Sequence, residues 1–528
     1  MEEKTKRPLV LAILDGWGFS QKSVGNPISK ANTPILNEVG KHYPMVLLQA
    51  SGLAVGMAWG ESGNSEVGHL AIGAGRIIEQ YYSRINRSIA DKSFFSNPAL
   101  VGLFEHAQKN NSRIHLVGLL TSGTVHAAYS HIIGLLEMAA QKNQKETYLH
   151  LFLDGRDSGI KESIDLLSKL NIAIQKHGYG KITSVIGRDF GMDRDNNWDK
   201  TKKAFNLLAK GEGEKSNNIV ATISNYYQQG INDSAMPPII DGNINHTGFK
   251  DGDAIMFFNF REDSMRQIVR SFIEPNFNLF ERININNLYL ATMTRYLEPV
   301  MNSPAPAVAF MPPEIKNSLT EYLAASGKTQ LHIAETDKYA HVTFFFNCFK
   351  EKPYPGETDV FIDSIKNIEQ NPQMSAIDIA SKVTESLDQG LYDFILLNLA
   401  NADLLAHTGN YEAVVKGVET MDQSIGLIQS KVMEKNGIMI VTADHGNAES
   451  LVDRSGGEAQ TKHDDSPVFC YLIAKEYNNL KTNEKIAEEK ASINGILSDI
   501  APTILELMGL VQPLEMTGQS LITILTSS

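Results

Sequence analysis

The sequence predicts an α/β protein built from two units, one of them discontinuous. Three observations carry this. Apolar runs of strand length, at residues 114–120, 148–153, 181–186, 254–260, 287–290, 394–399 and 438–442, alternate with amphipathic stretches of helix length. That alternation is produced by a largely parallel sheet with crossover helices. The chain has 528 residues, beyond the ~250–300 at which one hydrophobic core stops growing. Metal-ligating residue types gather towards both ends of the chain, whereas the middle carries arginine motifs.

The third observation also sets boundaries. A proline-rich stretch at residues 298–314, with Pro299, Pro304, Pro306, Pro312 and Pro313, reads as a linker. A second crossover is expected near residues 75–84. The simplest partition is a metal-binding unit of residues 1–78 and 309–528, with a second α/β unit of residues 79–308 inserted. A cleft between such units is where the active site is expected.

Composition narrows the class. A hydrophobic content of 42% is ordinary for a soluble enzyme, and a net charge of −13 argues against general binding to nucleic acid or anionic membranes. Cys348 and Cys470 are too few for a disulfide framework or a thiolate cage. The apolar run after the charged N-terminus stops at Asp15, and no later run approaches ~18 apolar residues. A cytoplasmic enzyme with a small-molecule substrate is expected, with no nucleic-acid or membrane partner.

In chain order, Pro-Leu-Val-Leu-Ala-Ile-Leu runs into Asp15. Gly-Glu-Ser-Gly-Asn-Ser-Glu-Val-Gly-His at residues 60–69 offers Ser65 as a nucleophile, or as the N-cap of a helix starting at Glu66; both can hold at once. The apolar run 394–399 leads to Asn401, Asp403 and His407, and the run 437–443 leads to Asp444 and His445. His463 follows in a polar loop. Asp403 and His407, four residues apart, share one face of a helical turn. The carboxyl ends of parallel strands share one rim, so acids and imidazoles far apart in sequence can converge there. Each segment alone could be a solvated turn; four together indicate a two-metal phosphoryl-transfer site. Carboxylate, imidazole and serine oxygen suit Mn2+ or Zn2+.

The middle segment carries Leu-Asp-Gly-Arg156-Asp157, Gly187-Arg188-Asp-Phe-Gly-Met-Asp-Arg194 and Asn259-Phe-Arg261-Glu-Asp. Arginine forks at strand ends point to an anionic substrate. Lys338 and His341 stand before a strand-like run, Val-Thr-Phe-Phe-Phe, on the metal-unit side. Lys338 is expected to stabilise charge by reaching across the cleft.

On these residues the chain resembles the cofactor-independent (2,3-bisphosphoglycerate-independent) phosphoglycerate mutases, within the alkaline phosphatase-like superfamily. The resemblance runs from Leu-Asp-Gly-Trp-Gly at residues 14–18 to Glu-Met-Thr-Gly-Gln-Ser-Leu at residues 515–521. Residues 63–69 and 335–347 are its most specific segments. It implies an alkaline phosphatase-like metal domain in which Asp403, His407 and His463 hold one Mn2+ and Asp15, Ser65, Asp444 and His445 hold another. It implies substrate binding through His126, Arg156, Asp157, Arg188, Arg194, Arg261 and Lys338. It further implies a monomer that interconverts 3-phosphoglycerate and 2-phosphoglycerate, in glycolysis and gluconeogenesis, without 2,3-bisphosphoglycerate. The resemblance also implies that Ser65 carries the phosphoryl group as a phosphoserine and that Asp157 moves the hydroxyl protons.

The chain departs from the family pattern at several points. Ser264 stands where a second arginine is usual, Thr121-Ser-Gly-Thr-Val-His126 replaces Ser-Asp-Gly-Gly-Val-His, and Asn401-Ala-Asp403 replaces Asn-Pro-Asp. His463 is followed by Asp-Asp-Ser-Pro rather than Thr-x-Asn-Pro. Arg266 either compensates for Ser264 or forms a surface ion pair. Competing readings are a phosphatase or phosphopentomutase-like enzyme with the same ions, and a non-catalytic protein on a decayed scaffold. The arginine-rich insert counts against a plain phosphatase, and retention of Ser65 with all the ligand positions counts against decay.

Overall fold

The computed structural model describes residues 7–245, 248–298, 305–451 and 460–526, so residues 299–304 of the proline-rich stretch lie outside the described residues. The chain divides into two compact units, Met1–Gln80 with Glu314–Ser528, and Tyr81–Pro313. Unit 1 opens with β1 (Leu9–Leu14) and β2 (Met45–Gln49). Unit 2 supplies β3 (Ile114–Leu120), β4 (Thr147–Leu153), β5 (Lys181–Gly187), β6 (Glu214–Ser216), β7 (Ile239–Asp241), β8 (Ala254–Phe257), β9 (Tyr289–Thr294) and β10 (Ala307–Phe310). Unit 1 resumes with β11 (Gln330–Glu335), β12 (Glu357–Ile362), β13 (Phe394–Leu399), β14 (Ile438–Thr442), β15 (Val468–Ile473) and β16 (Ile493–Ile496).

Each unit is built on one sheet with its own apolar core. In unit 1 the order is β12-β11-β13-β1-β14-β15-β2-β16. β1 lies between β13 and β14, parallel to both, with Leu14 opposite Leu399 and Ile13 opposite Thr442. β15 is antiparallel to β14 and to β2. Every residue of β1 and β13 is buried, which is why these strands read as continuous rather than alternating apolar runs. In unit 2 the order is β10-β9-β8-β3-β4-β5-β7-β6, and β8, β3, β4 and β5 are mutually parallel. The residues after these strands therefore emerge along one edge.

The structure corrects the sequence reading in five places. The run after Lys338 is helical: a 3-10 turn, Thr336–Lys338, leads to a single π-turn, His341–Phe345. A short apolar run cannot be assigned by periodicity alone. Here helix Ser65–Ala74 packs against it so closely that a Cβ on Gly73 would lie 2.0 Å from the Phe346 carbonyl oxygen. Helix Ser65–Ala74 begins one residue earlier than expected, and its cap is Asn64, whose side chain accepts from Val67 N–H. The run 254–260 is strand only to Phe257, and the one at 287–290 is a strand at Tyr289–Thr294. A boundary at 308/309 would cut β10, which pairs with β9 and completes the sheet of unit 2.

Candidate active site

In unit 1, Asp15, Asp403 and Asp444 follow the parallel strands β1, β13 and β14 and so share one rim. Gly16 makes the turn after β1 with φ of +72°, and a Cβ there would lie 2.7 Å from that of Asp403. Its N–H donates to Asp444 Oδ1 at 3.1 Å. Ser65, at the first turn of helix Ser65–Ala74, has its hydroxyl 3.0 Å from Asp15 Oδ1 and 3.0 Å from His445 Nε2. The Lys338 ammonium donates at 2.7 Å to each of Ser65 Oγ, Asp15 Oδ1 and Asp403 Oδ2. It is buried and committed to these unit 1 groups, where a reach across a cleft was expected.

The donor set fits divalent cations. His407 and His463 donate from Nδ1 to the carbonyls of Thr461 and Gly63, both at 2.9 Å, which turns the Nε2 of each ring towards the other. Those two Nε2 atoms face each other at 3.0 Å, and Asp403 Oδ1 lies 3.3 and 3.4 Å from them. Two imidazole nitrogens and one carboxylate oxygen thus converge on one point. Asp15, Asp444 and His445 form a second group whose ligand atoms lie within 4.8 Å of one another. Asp444 Oδ2 there is buried without a hydrogen-bond partner. Burial opposes charge on Asp15, yet Lys338 and His445 hold its carboxyl well below the usual range. Burial likewise disfavours charged His445, but Asp444, Asp15 and Asp403 push it up to about 10. This is an acid-rich field that calls for positive charge.

In unit 2, Thr121 and His126 follow β3, Asp154, Arg156 and Asp157 follow β4, and Arg188 follows β5. Arg188 is buried and donates to Asp154 at 2.5 Å and to Asp157 at 2.6 Å. Arg194 and Arg261 both pair with Asp263, at 2.5 and 3.2 Å, and Arg156 pairs with Asp189. Arg156, Arg194 and Arg261 remain 61%, 55% and 45% exposed, so their forks are accessible to an anion. His126 lies 3.8 Å from Asp157 and 3.8 Å from Asp263. Burial, with Arg188 and Arg261 beside it, pushes its imidazole down to about 4, so it is neutral at neutral pH. Ser264 is buried with Oγ 3.1 Å from His126 Nδ1, while exposed Arg266 pairs with Glu262 at 3.3 Å.

Known proteins bear on what these two clusters do. Residues 85–298 match the family described as BPG-independent PGAM N-terminus. A 2,3-bisphosphoglycerate-independent phosphoglycerate mutase of Clostridium botulinum is 42% identical over 522 residues, covering 98% of this chain and 100% of that protein. The Methanosarcina acetivorans enzyme named phosphoglycerate mutase 1 of the same kind is also 42% identical, over 98% of this chain and 99% of its own length. The chain belongs to the 2,3-bisphosphoglycerate-independent phosphoglycerate mutases. A crystal structure of Leishmania mexicana phosphoglycerate mutase at low cobalt concentration superposes with a TM-score of 0.71 at 27% identity, covering 98% of both chains.

Several side chains around the two clusters escape the sequence reading. Asn398, polar inside the buried strand β13, donates to Asp15 Oδ2 at 2.6 Å and to His69 Nε2 at 3.1 Å. Asn447 donates to Asp403 Oδ1 at 2.8 Å, and Glu449 accepts from Gly18 and Asn447 N–H. Asp154 accepts from Thr121, from Arg188 and from the N–H groups of Arg156 and Asp157. The signal that could have found them is a buried polar residue within or just after an apolar run, since such a group needs partners.

Proposed function

We propose that the chain interconverts 3-phosphoglycerate and 2-phosphoglycerate by passing the phosphoryl group to Ser65 and back. The observation that carries this is the surroundings of Ser65 Oγ: an ammonium at 2.7 Å and an acid and an imidazole at 3.0 Å, in a member of a mutase family. In the first step the bond from phosphorus to the 3-oxygen breaks as the bond to Ser65 Oγ forms, and the departing 3-oxygen takes a proton. After the glycerate reorients, its 2-hydroxyl gives up a proton and bonds phosphorus, freeing Ser65. Asp157 carries these protons, and its carboxylate is oriented by Arg188.

Two divalent cations, Mn2+ in this reading, would be held by Asp403, His407 and His463 and by Asp15, Ser65, Asp444 and His445, where they would acidify the serine hydroxyl and neutralise phosphoryl charge. The cobalt present with the Leishmania mexicana enzyme supports a metal-dependent site. Lys338 favours a Ser65 oxyanion and the charge developing on the transferring group. Arg156, Arg188, Arg194 and Arg261 bind the phosphate and carboxylate, and neutral His126 donates or accepts a hydrogen bond without adding charge. We further propose a cytoplasmic monomer serving glycolysis and gluconeogenesis. No helix among the described residues is long and apolar enough to cross a membrane.

The test is Ser65→Ala with mass analysis of trapped enzyme. The variant folds and loses mutase activity by several orders of magnitude, and wild-type enzyme mixed with phosphoglycerate, without 2,3-bisphosphoglycerate, yields phosphate on Ser65. Substantial activity in Ser65→Ala removes the mechanism.

A further inference from the structure

A second concentration of metal-type ligands lies in unit 1 on the edge of the sheet, on residues that take no part in the proposed reaction. β11 and β12 pair in parallel with His332 opposite Asp359 and Gln330 opposite Glu357. Residues two apart share a face, so one face of this edge presents an imidazole beside two carboxylates. One ring nitrogen of His332 and one oxygen each of Glu357 and Asp359 lie within 4.8 Å of one another. His332 Nδ1 is 3.2 Å from Glu357 Oε1, and both side chains are wholly buried.

The cluster is short of partners. The His332 ring, beside the Val342 backbone and with Glu357 Oε1 at 3.2 Å, makes no hydrogen bond of good geometry, and Asp359 Oδ1 is also buried without one. Asn347 donates to Glu357 Oε1 at 2.6 Å, yet its own Oδ1 is buried and unbonded. Among the described residues no lysine or arginine forms an ion pair with either carboxylate. Buried groups in this state are costly, and a cation shared between an imidazole and two carboxylates offsets that cost.

We propose that His332, Glu357 and Asp359 bind a divalent cation of the Zn2+ or Mn2+ class, separate from the catalytic pair. A mixed imidazole and carboxylate set favours these ions over Mg2+ or Ca2+. The Glu357 ligand is itself oriented. Tyr354 N–H donates to Glu357 Oε2 at 2.8 Å, and Asn347 to Glu357 Oε1 at 2.6 Å. The ion would therefore tie the edge strand β12 to β11 and to the segment that follows Lys338, acting as a structural staple.

The test is metal content. Holoenzyme equilibrated with Zn2+ and desalted is compared with Asp359→Asn and Glu357→Gln, near-isosteric changes checked for native circular dichroism. Wild type is expected to hold one equivalent more than either variant and to melt at higher temperature with Zn2+ than they do. A complementary enzyme with His407→Ala, His463→Ala, Asp444→Asn and His445→Ala combined keeps this cluster intact and is expected to retain one equivalent. Equal metal content in wild type and the cluster variants overturns the proposal. So does a folded quadruple variant without metal. Neither measurement depends on mutase activity, so failure here leaves the phosphoserine mechanism standing.

Discussion

Gly68→Ala puts one methyl group against the backbone of Asp444. The new Cβ would lie 2.4 Å from the Asp444 carbonyl oxygen, 2.8 Å from its Cβ and 3.0 Å from its carbonyl carbon. Ordinary contact begins at 3.4 Å, so helix Ser65–Ala74 and the Asp444 turn must separate by about 1 Å. Neither side gives readily. Nine of the ten residues of the helix are buried, and Gly73 pins its far end against Phe346. Ser65 sits one turn before Gly68, so the displacement reaches Oγ and its contacts of 2.7 to 3.0 Å. Overpacking of this kind costs about 1–3 kcal/mol, and a reacting atom misplaced by about 1 Å costs about 10²-fold in rate. The assay is kcat for mutase turnover together with the melting temperature. Gly40→Ala is the control: it lies in helix Pro34–His42, its Cβ would meet only the Tyr471 hydroxyl at 3.5 Å, and about 0.5–1 kcal/mol of helix propensity is gained. A Gly68→Ala enzyme with kcat within about twofold of wild type would refute the close helix contact as the support of Ser65.

Arg266→Ala is expected to leave KM unchanged and to cost less than ~0.5 kcal/mol, because its pair with Glu262 is exposed. Ser264→Arg forces a long cation into a buried position that holds His126, so lower kcat/KM and a loss of roughly 1–3 kcal/mol are expected; a strong rise in KM for Arg266→Ala would reverse both statements. His131 is buried with neither ring nitrogen bonded, and burial pushes it down to about 3 from an ordinary 6.5. The unfolded chain therefore takes the proton first: the stability tied to this neutral ring is complete above pH 6.5 and is lost as pH falls towards 3, on the order of 3–5 kcal/mol in all. His131→Phe should flatten the melting temperature against pH across that window, and an unchanged profile would count against it. Chelator is expected to abolish turnover and Mn2+ to restore it; an enzyme indifferent to chelator would contradict the metal assignment.

The legible parts of this fold and site are those where a short-range pattern and a long-range cost agree. Asp15 and Asp444 are visible because each ends a strand that is buried throughout, where an acid is expensive unless something binds it. Other features depend on neighbours that the local sequence does not name. Asn398 matters because Asp15 and His69 flank it from other elements. Lys338 reads from its local sequence as reaching outward, yet it ends a 3-10 turn and donates to three nearby acceptors, Ser65 Oγ among them. Ser264 looks like a missing arginine, but the fold gives its hydroxyl to His126. The triad of His332, Glu357 and Asp359 is invisible for the same reason, being made by the register of two strands.

The central position of β1 has a consequence for synthesis. Its hydrogen-bonding neighbours are β13 and β14, and the first of these begins 380 residues after β1 ends. At about 5–20 residues per second, a ribosome takes roughly 20–80 s to deliver that partner. Throughout that interval Leu-Val-Leu-Ala-Ile-Leu has emerged without its native ladder, a sticky segment of the kind chaperones retain. The contiguous segment Tyr81–Pro313 meanwhile has every strand of its own sheet and is free to fold first. Nascent chains arrested before and after residue 442 should accordingly differ sharply in protease resistance at β1, while the segment between Tyr81 and Pro313 is already protected in both.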